Sequence, residues 1–427
     1  MTTAKLTVSV RMYNVGFGDA FLVTVRKGRK AWRMIVDCGV HAQGQARPLE
    51  DSVNAIVDDL RAVDPAGPPH VNVIAATHHH ADHIAGFALD AWQQVAVEEI
   101  WVPFVEDPMD PDAKALRESH RNAVARLLGL IGQRTHGLNR GAWPAALITA
   151  QWFAVNCSRN EKATDRLLDR NDLGFATKPR IRFLPSAGSD DQILPTTIED
   201  VTVHVLGPPR DPAFLKHMDP PAQAGWLALD QDAEPGSGSE QPLFSPGFVM
   251  TADDCQRDFP QLAQAHQSLR QLARINDAGL LAAASLLERA VNNTSLFFVL
   301  DVAGLHLLFP GDAQYGSWNH VLSNPALLPL VSDAAFYKIG HHGSHNGTPR
   351  NYVENILGEG AYAMLPWGLV KRWEDTIPKQ ELLDALRARN HHIVRADNPL
   401  AEHGRVTVQG DLWAEVTFTA GSKGADH

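Results

Sequence analysis

Apolar and polar residues alternate at both ends of the chain, and a helical spacing replaces that alternation between them. KLTVSVRMYNV, FLVTVRK and AWRMIVDCG predict three strands of a β-meander, joined by a Gly-rich turn (GFGDA) and a basic tip holding Arg26, Lys27, Arg29 and Lys30. Val53, Ile56, Val57 and Leu60 recur on one face of a helix spanning Leu49 to Val63. The run VNVIAAT then predicts a short buried strand, as in a βαβ unit, that leads directly into HHHADHIAG. Residues 91–180 read as helical and mixed, with an amphipathic helix from Asp112 (DAKALRESHRNAVARLLGLIG).

Farther on, DVTVHVLGPP predicts a strand near Val203. The stretch from His217 to Gly247, dense in Pro, Gly, Ser and acidic residues, has no period and predicts a long loop. Residues 259–290 are helical in pattern. SLFFVLDVAGLHLLFPGD predicts a hairpin, AAFYKIG a buried strand, IPKQELLDALRARN a helix with Pro378 in its first turn, and RVTVQGDLWAEVTF a closing hairpin.

Composition narrows the chemistry. The 427 residues include 20 His but only 3 Cys, which excludes a disulfide scaffold or a Cys-based zinc ribbon and leaves His and carboxylates to hold any metal. A formal net charge of −11 argues against a surface that coats nucleic acid indiscriminately. The N-terminus lacks the apolar core of a signal peptide, and the long uncharged runs are broken by Pro, Asn and Gln, so a cytoplasmic location without membrane spans is expected.

The chemistry concentrates at three strand exits. In Thr77-His78-His79-His80-Ala81-Asp82-His83, His78 and His80 stand two apart on an extended segment, so both imidazoles face one side and can share a cation. Asp82 and His83 follow where a helix begins and address a second position. Asp312, after Gly311 at the end of LHLLF, is placed to bridge two cations. His341 and His342 leave the strand AAFYKIG into a Gly-rich loop whose Ser344, His345 and Asn346 are candidate hydrogen-bond donors to a substrate.

The ordered motifs NVGFGDA, IVDCG, THHHADHIAG, NNTSLFFVL, LFPGD and KIGHHGS resemble the metallo-β-lactamase fold superfamily, most closely the branch containing the soluble hydrolase domain of the competence protein ComEC. The resemblance covers residues 5–105 and 290–420. It implies an α/β fold, an αββα sandwich with a large, mostly helical mid-chain insertion at 106–290 within a single hydrolase domain. It also implies two divalent metal ions, zinc foremost, with manganese or iron as alternatives. His78 and His80 would hold the first, Asp82, His83 and His342 the second, and Asp312 would bridge them. Asp82 and Asp312 become the catalytic carboxylates, and Asp37 orients a ligand histidine. Where most of the superfamily supplies another His to the first metal, this chain has Asn292-Asn293-Thr294. The implied reaction is hydrolysis, first of a small phosphodiester or single-stranded nucleic acid. A lactone, thioester or β-lactam is the next substrate class, and a binding module that keeps the fold is the reading from another class.

Overall fold

The computed structural model describes residues 5–63, 67–157, 160–220, 226, 276–399 and 404–420. Strands β1 (Leu6–Tyr13), β2 (Ala20–Lys27) and β3 (Lys30–Cys38) form the expected meander; β4 (His70–Ala75), β5 (Ala96–Pro103) and β6 (Arg180–Leu184) continue it. β7 (Gln192–Pro195), β8 (Val201–Gly207), β9 (Phe297–Val302), β10 (Leu305–Phe309), β11 (Ala334–Lys338), β12 (Tyr362–Leu365) and β13 (His392–Arg395) make a second sheet. β14 (Val406–Gln409) and β15 (Trp413–Thr419) return to the first. The orders are β14-β15-β1-β2-β3-β4-β5-β6 and β13-β12-β11-β10-β9-β8-β7.

The two sheets pack face to face. Val8, Val10, Val23 and Met34 of the first sheet share a buried cluster with Val203, Phe298, Leu300 and Phe309 of the second. Each fully buried side chain of this kind contributes about 1.5–3 kcal/mol. The outer face of the first sheet is covered by the helix Leu49–Val63 through Val53, Ile56, Val57 and Leu60, with Glu50 and Asp51 in its first turn and Arg61 in its last matching the helix dipole. Trp318 and Val321 of the helix Tyr315–Ser323, with Leu382, Leu383 and Leu386 of Gln380–Ala388, cover the outer face of the second. The chain is therefore the expected four-layer αββα sandwich.

Several elements differ from the pattern read off the sequence. β5 falls inside the segment read as helical and mixed, because its VEEIWVP stretch, buried between β4 and β6, lacks clean alternation. Pro378 precedes the helix Gln380–Ala388 instead of occupying its first turn. The stretch 106–290 is divided. Its residues 180–207 supply β6, β7 and β8 to the two sheets, whereas the described residues 118–157 and 276–288 belong to a separate compact unit that includes most of the helix Pro111–Thr135 and the helix Ala145–Asn156. Most of the expected loop 217–247 and residues 259–275 of the expected helix lie outside the described residues. Among the described residues, no helix is long and apolar enough to cross a membrane.

β3 and β4 run parallel, as do β10 and β11, so their C-terminal ends open along shared edges. Those ends carry Asp37, the 77–83 segment, Asp312 and the His341–His342 pair.

Candidate metal centre

Asp37, next to last in β3, has its backbone in the left-handed region (φ 58°). Its Oδ1 accepts Thr77 N at 2.7 Å, and its Oδ2 accepts Thr77 Oγ1 at 2.7 Å and His83 Nδ1 at 2.8 Å. An ionised carboxylate only accepts, so Nδ1 of His83 carries a proton and its Nε2 is turned to Asp312 Oδ2, 3.1 Å away. His342 repeats the device: Nδ1 donates to the Pro366 carbonyl at 2.7 Å, while Nε2 lies 3.2 Å from Asp82 Oδ2 and 3.9 Å from Asp312 Oδ2. Gly39 permits the close approach of these loops, since a Cβ there would meet the Ala81 carbonyl oxygen at 2.4 Å.

His78 and His80 form a second grouping, with His78 Nε2 and His80 Nδ1 3.1 Å apart. Thr77 directs its hydroxyl proton to Asp37, so Thr77 Oγ1 is an acceptor for His78 Nδ1 at 3.2 Å; Ser295 Oγ lies at the same distance from that nitrogen. The His78 Nε2 lone pair is thereby aimed at the space shared with His80. His79, between them, turns the other way and pairs with Glu106 at 2.9 Å.

The electrostatics separate the two groupings. Burial opposes charge on His83, but Asp312, Asp19 and Asp37 outweigh it and raise its pKa well above the ordinary histidine value. Burial likewise opposes charge on His342, and a hydrogen bond to Asp82 with the fields of Asp312 and Asp19 reverses that effect. Asp82 is driven far below the usual carboxylate range despite burial, through the His342 hydrogen bond and the field of His83. Burial, reinforced by the neighbouring imidazoles, pushes His78 well down, and burial carries His80 down to about 3.

The donors fit a divalent cation. His78, His83 and Asp312 have ligand atoms within 4.8 Å of one another, and Asp82 Oδ1 is buried without a hydrogen-bond partner. A lone buried carboxylate oxygen is costly unless a cation meets it. A second triad, Asp19, His83 and His342, is equally compact. There, however, the ring nitrogens facing Asp19 are the two Nδ1 atoms, 3.7 and 3.6 Å away, and both already donate to Asp37 or Pro366. Asp19 instead pairs with Lys338 at 2.6 Å.

The remaining candidates fall around this core. His341, in the left-handed region like His342 (φ 47° and 51°), gives its backbone N–H to Asp312 Oδ1 at 3.1 Å. Its ring Nδ1 meets Ser344 Oγ at 2.7 Å and Asn346 Oδ1 at 3.1 Å, its Nε2 accepts from Asn292 Nδ2 at 3.2 Å, and burial pushes its pKa down to about 4. Asn292 Oδ1 is buried with no hydrogen-bond partner. Asn293 faces elsewhere: it accepts from Gln314 N and Ser317 N and donates to the Phe214 and Leu215 carbonyls. His345 is half-buried and belongs to neither compact donor group.

Four residues escaped the sequence reading of the site: Asp19, Thr77, Ser295 and Lys338. Lys338 left a signal, as a charged residue ending an otherwise apolar strand. Asp19 stood in the quoted GFGDA turn, but nothing in the spacing linked it to Lys338.

No family model matches the chain, and no curated protein does. Among solved structures, the metallo-beta-lactamase fold protein YhfI from Bacillus subtilis aligns with 93% of this chain and 98% of that one, at 9% identity and a TM-score of 0.37. The four-layer architecture rests on the sheet order and packing described above.

Proposed function

We propose that this chain is a metal-dependent hydrolase of phosphodiester bonds, taking a small phosphodiester or single-stranded nucleic acid as substrate. The observation that carries this reading is the inward-facing donor set at the sheet edge. His83 and His342 have Nδ1 fixed on oxygen acceptors and Nε2 turned toward carboxylates. His78 and His80 would hold one divalent ion, Asp82, His83 and His342 a second, and Asp312 Oδ2 would stand between them. Zinc suits these ligands best, and manganese or iron suits the oxygen-richer side. Such ions supply Lewis-acid activation of water and stabilise charge on the departing oxygen.

The chain's own residues do the rest. Asp37 and the Pro366 carbonyl keep the ring tautomers fixed, Asp82 would hold an ion and orient the water beside it, and Ser344 with Asn346 fixes the His341 ring. Charge supports an anionic substrate. Among the described residues, Asp19, Asp37, Asp82 and Asp312 are countered by the ammonium of Lys338, so with neutral imidazoles two divalent ions would change the pocket from net negative to net positive. The overall charge of −11 favours a small or single-stranded substrate over a long duplex.

A panel of bis-p-nitrophenyl phosphate, single-stranded DNA and a lactone, each with Zn²⁺ or Mn²⁺, tests the substrate class. Turnover of the phosphodiesters is expected, and activity on the lactone alone overturns it. Elemental analysis of the purified protein, with and without His80→Ala plus Asp82→Ala, tests the metal. A wild type without near-stoichiometric metal removes the enzyme reading.

A further inference from the structure

We infer that Lys338 is a positioning residue whose ammonium occupies Asp312 Oδ1 and leaves that carboxylate one oxygen, Oδ2, for a cation. This rests on the metal-dependent reading above and extends it to a residue outside the donor set.

Lys338 closes β11 and is 1% exposed. Its Nζ lies 2.6 Å from Asp19 Oδ2, 3.0 Å from the Gly311 carbonyl oxygen and 3.0 Å from Asp312 Oδ1. Three acceptors meet three N–H groups, so the ammonium has no proton left for water or substrate. Its role is geometric. Asp312 Oδ1 also accepts the His341 N–H at 3.1 Å, which gives that oxygen two donors while Oδ2 faces His83 Nε2. Turning the carboxylate to offer both oxygens would break a buried, charge-assisted hydrogen bond.

The partner of Lys338 is equally fixed. Asp19 donates its backbone N–H to the Asp82 carbonyl at 2.9 Å and accepts Gly39 N at 2.9 Å, so the Asp19–Lys338 pair cannot drift away from Asp312. One-oxygen ligation by Asp312 would keep a coordination position open for water or substrate, as catalytic sites require.

Lys338 also neutralises Asp19, and a purely structural role would end there. The double variant Asp19→Asn/Lys338→Met separates the two roles, because it removes the pair and leaves the net charge of the pocket unchanged. The probe is Co²⁺ added to metal-free protein, read as the visible ligand-field band. Wild type is expected to show a band, and the double variant to bind Co²⁺ with a shifted, weaker one, as Asp312 brings Oδ1 to the ion. Superimposable spectra overturn the inference and leave the metal reading standing. A wild type that takes up no Co²⁺ overturns the metal reading itself. If the double variant does not fold, Lys338→Met alone decides: it frees Asp312 Oδ1, so a shifted, weaker band supports the inference and an unchanged band overturns it.

Discussion

The two halves of the site are built on opposite principles. On one side, Asp82, His83, Asp312 and His342 interlock with Asp37, Asp19 and Lys338 in a dense web of charge-assisted contacts. On the other, His78 and His80 face each other 3.1 Å apart, with the Thr77 and Ser295 hydroxyls behind His78. The first half raises the pKa of its imidazoles and the second lowers them. Proximity to carboxylates makes the difference, because all four imidazoles are buried. A carboxylate-rich site binds a cation through charge, whereas the neutral His78 and His80 offer lone pairs and, among the described residues, have only the shared Asp312 as a carboxylate. The first half should therefore fill first and hold its ion more tightly.

Removing a carboxylate tests that contrast most severely. Asp82→Ala is expected to lose the tight ion, and with it several kcal/mol of transition-state stabilisation, roughly 10³-fold in rate. His80→Ala should lower the metal content by one equivalent while the tight ion remains. Metal analysis after dialysis distinguishes the two, and loss of both ions from His80→Ala would abolish the contrast.

Next in size is Asp37→Asn. The amide can still accept from His83 but no longer supplies charge, so affinity in the carboxylate half should fall by about 10–100-fold and the imidazole half should keep its own. Calorimetric titration with Zn²⁺ resolves the two sites.

The pH response should also divide. His83, raised well above the ordinary histidine value, keeps its second proton in the metal-free protein near neutrality, and the upward shift of His342 favours its proton in the same sense, so an ion must displace them. Affinity there should rise about tenfold per pH unit for each proton displaced, up to the raised pKa. Their contribution to metal-free stability has the opposite sense: it is full below about pH 6.5 and is lost as pH rises through the folded-state value. His78 and His80 are already neutral, so binding at their half should stay flat across pH 6–8. Proton release measured in buffers of different ionisation enthalpy reads this directly.

The smallest expected effect is that of Ser295→Ala. It removes one hydroxyl that touches His78 and also accepts the Asp312 N–H, worth about 1 kcal/mol, and should weaken the imidazole half by about fivefold and the carboxylate half by less. An equal loss in both halves would show that the halves are not independent.

The sequence made much of this visible for identifiable reasons. Short-range spacing exposes ligands that sit within a few residues of one another, as in His78 through His83, and helix periodicity placed Leu49–Val63 with its observed bounds. β5 was hidden because buried runs on either side of an exposed Glu98 and a half-buried Glu99 leave no clean alternation. Asp19 and Lys338 were hidden as a pair because they meet only after the two sheets dock. Asn293 looked like a site residue by its place in the motif, yet its side chain ties the 314–317 segment to the Phe214–Leu215 turn.

The contact between His83 and Asp312 spans 229 positions of sequence. An emerging chain would therefore deliver the site in two instalments, the first with the 77–83 segment and the second only after β10 is made. Neither instalment holds the full donor set, so tight capture of an ion has to wait until both sheets are in place. Metal would then act late in assembly as a clasp: it would leave the folding rate nearly unchanged, slow unfolding, and lengthen the lifetime of the finished protein in proportion to the free ion available.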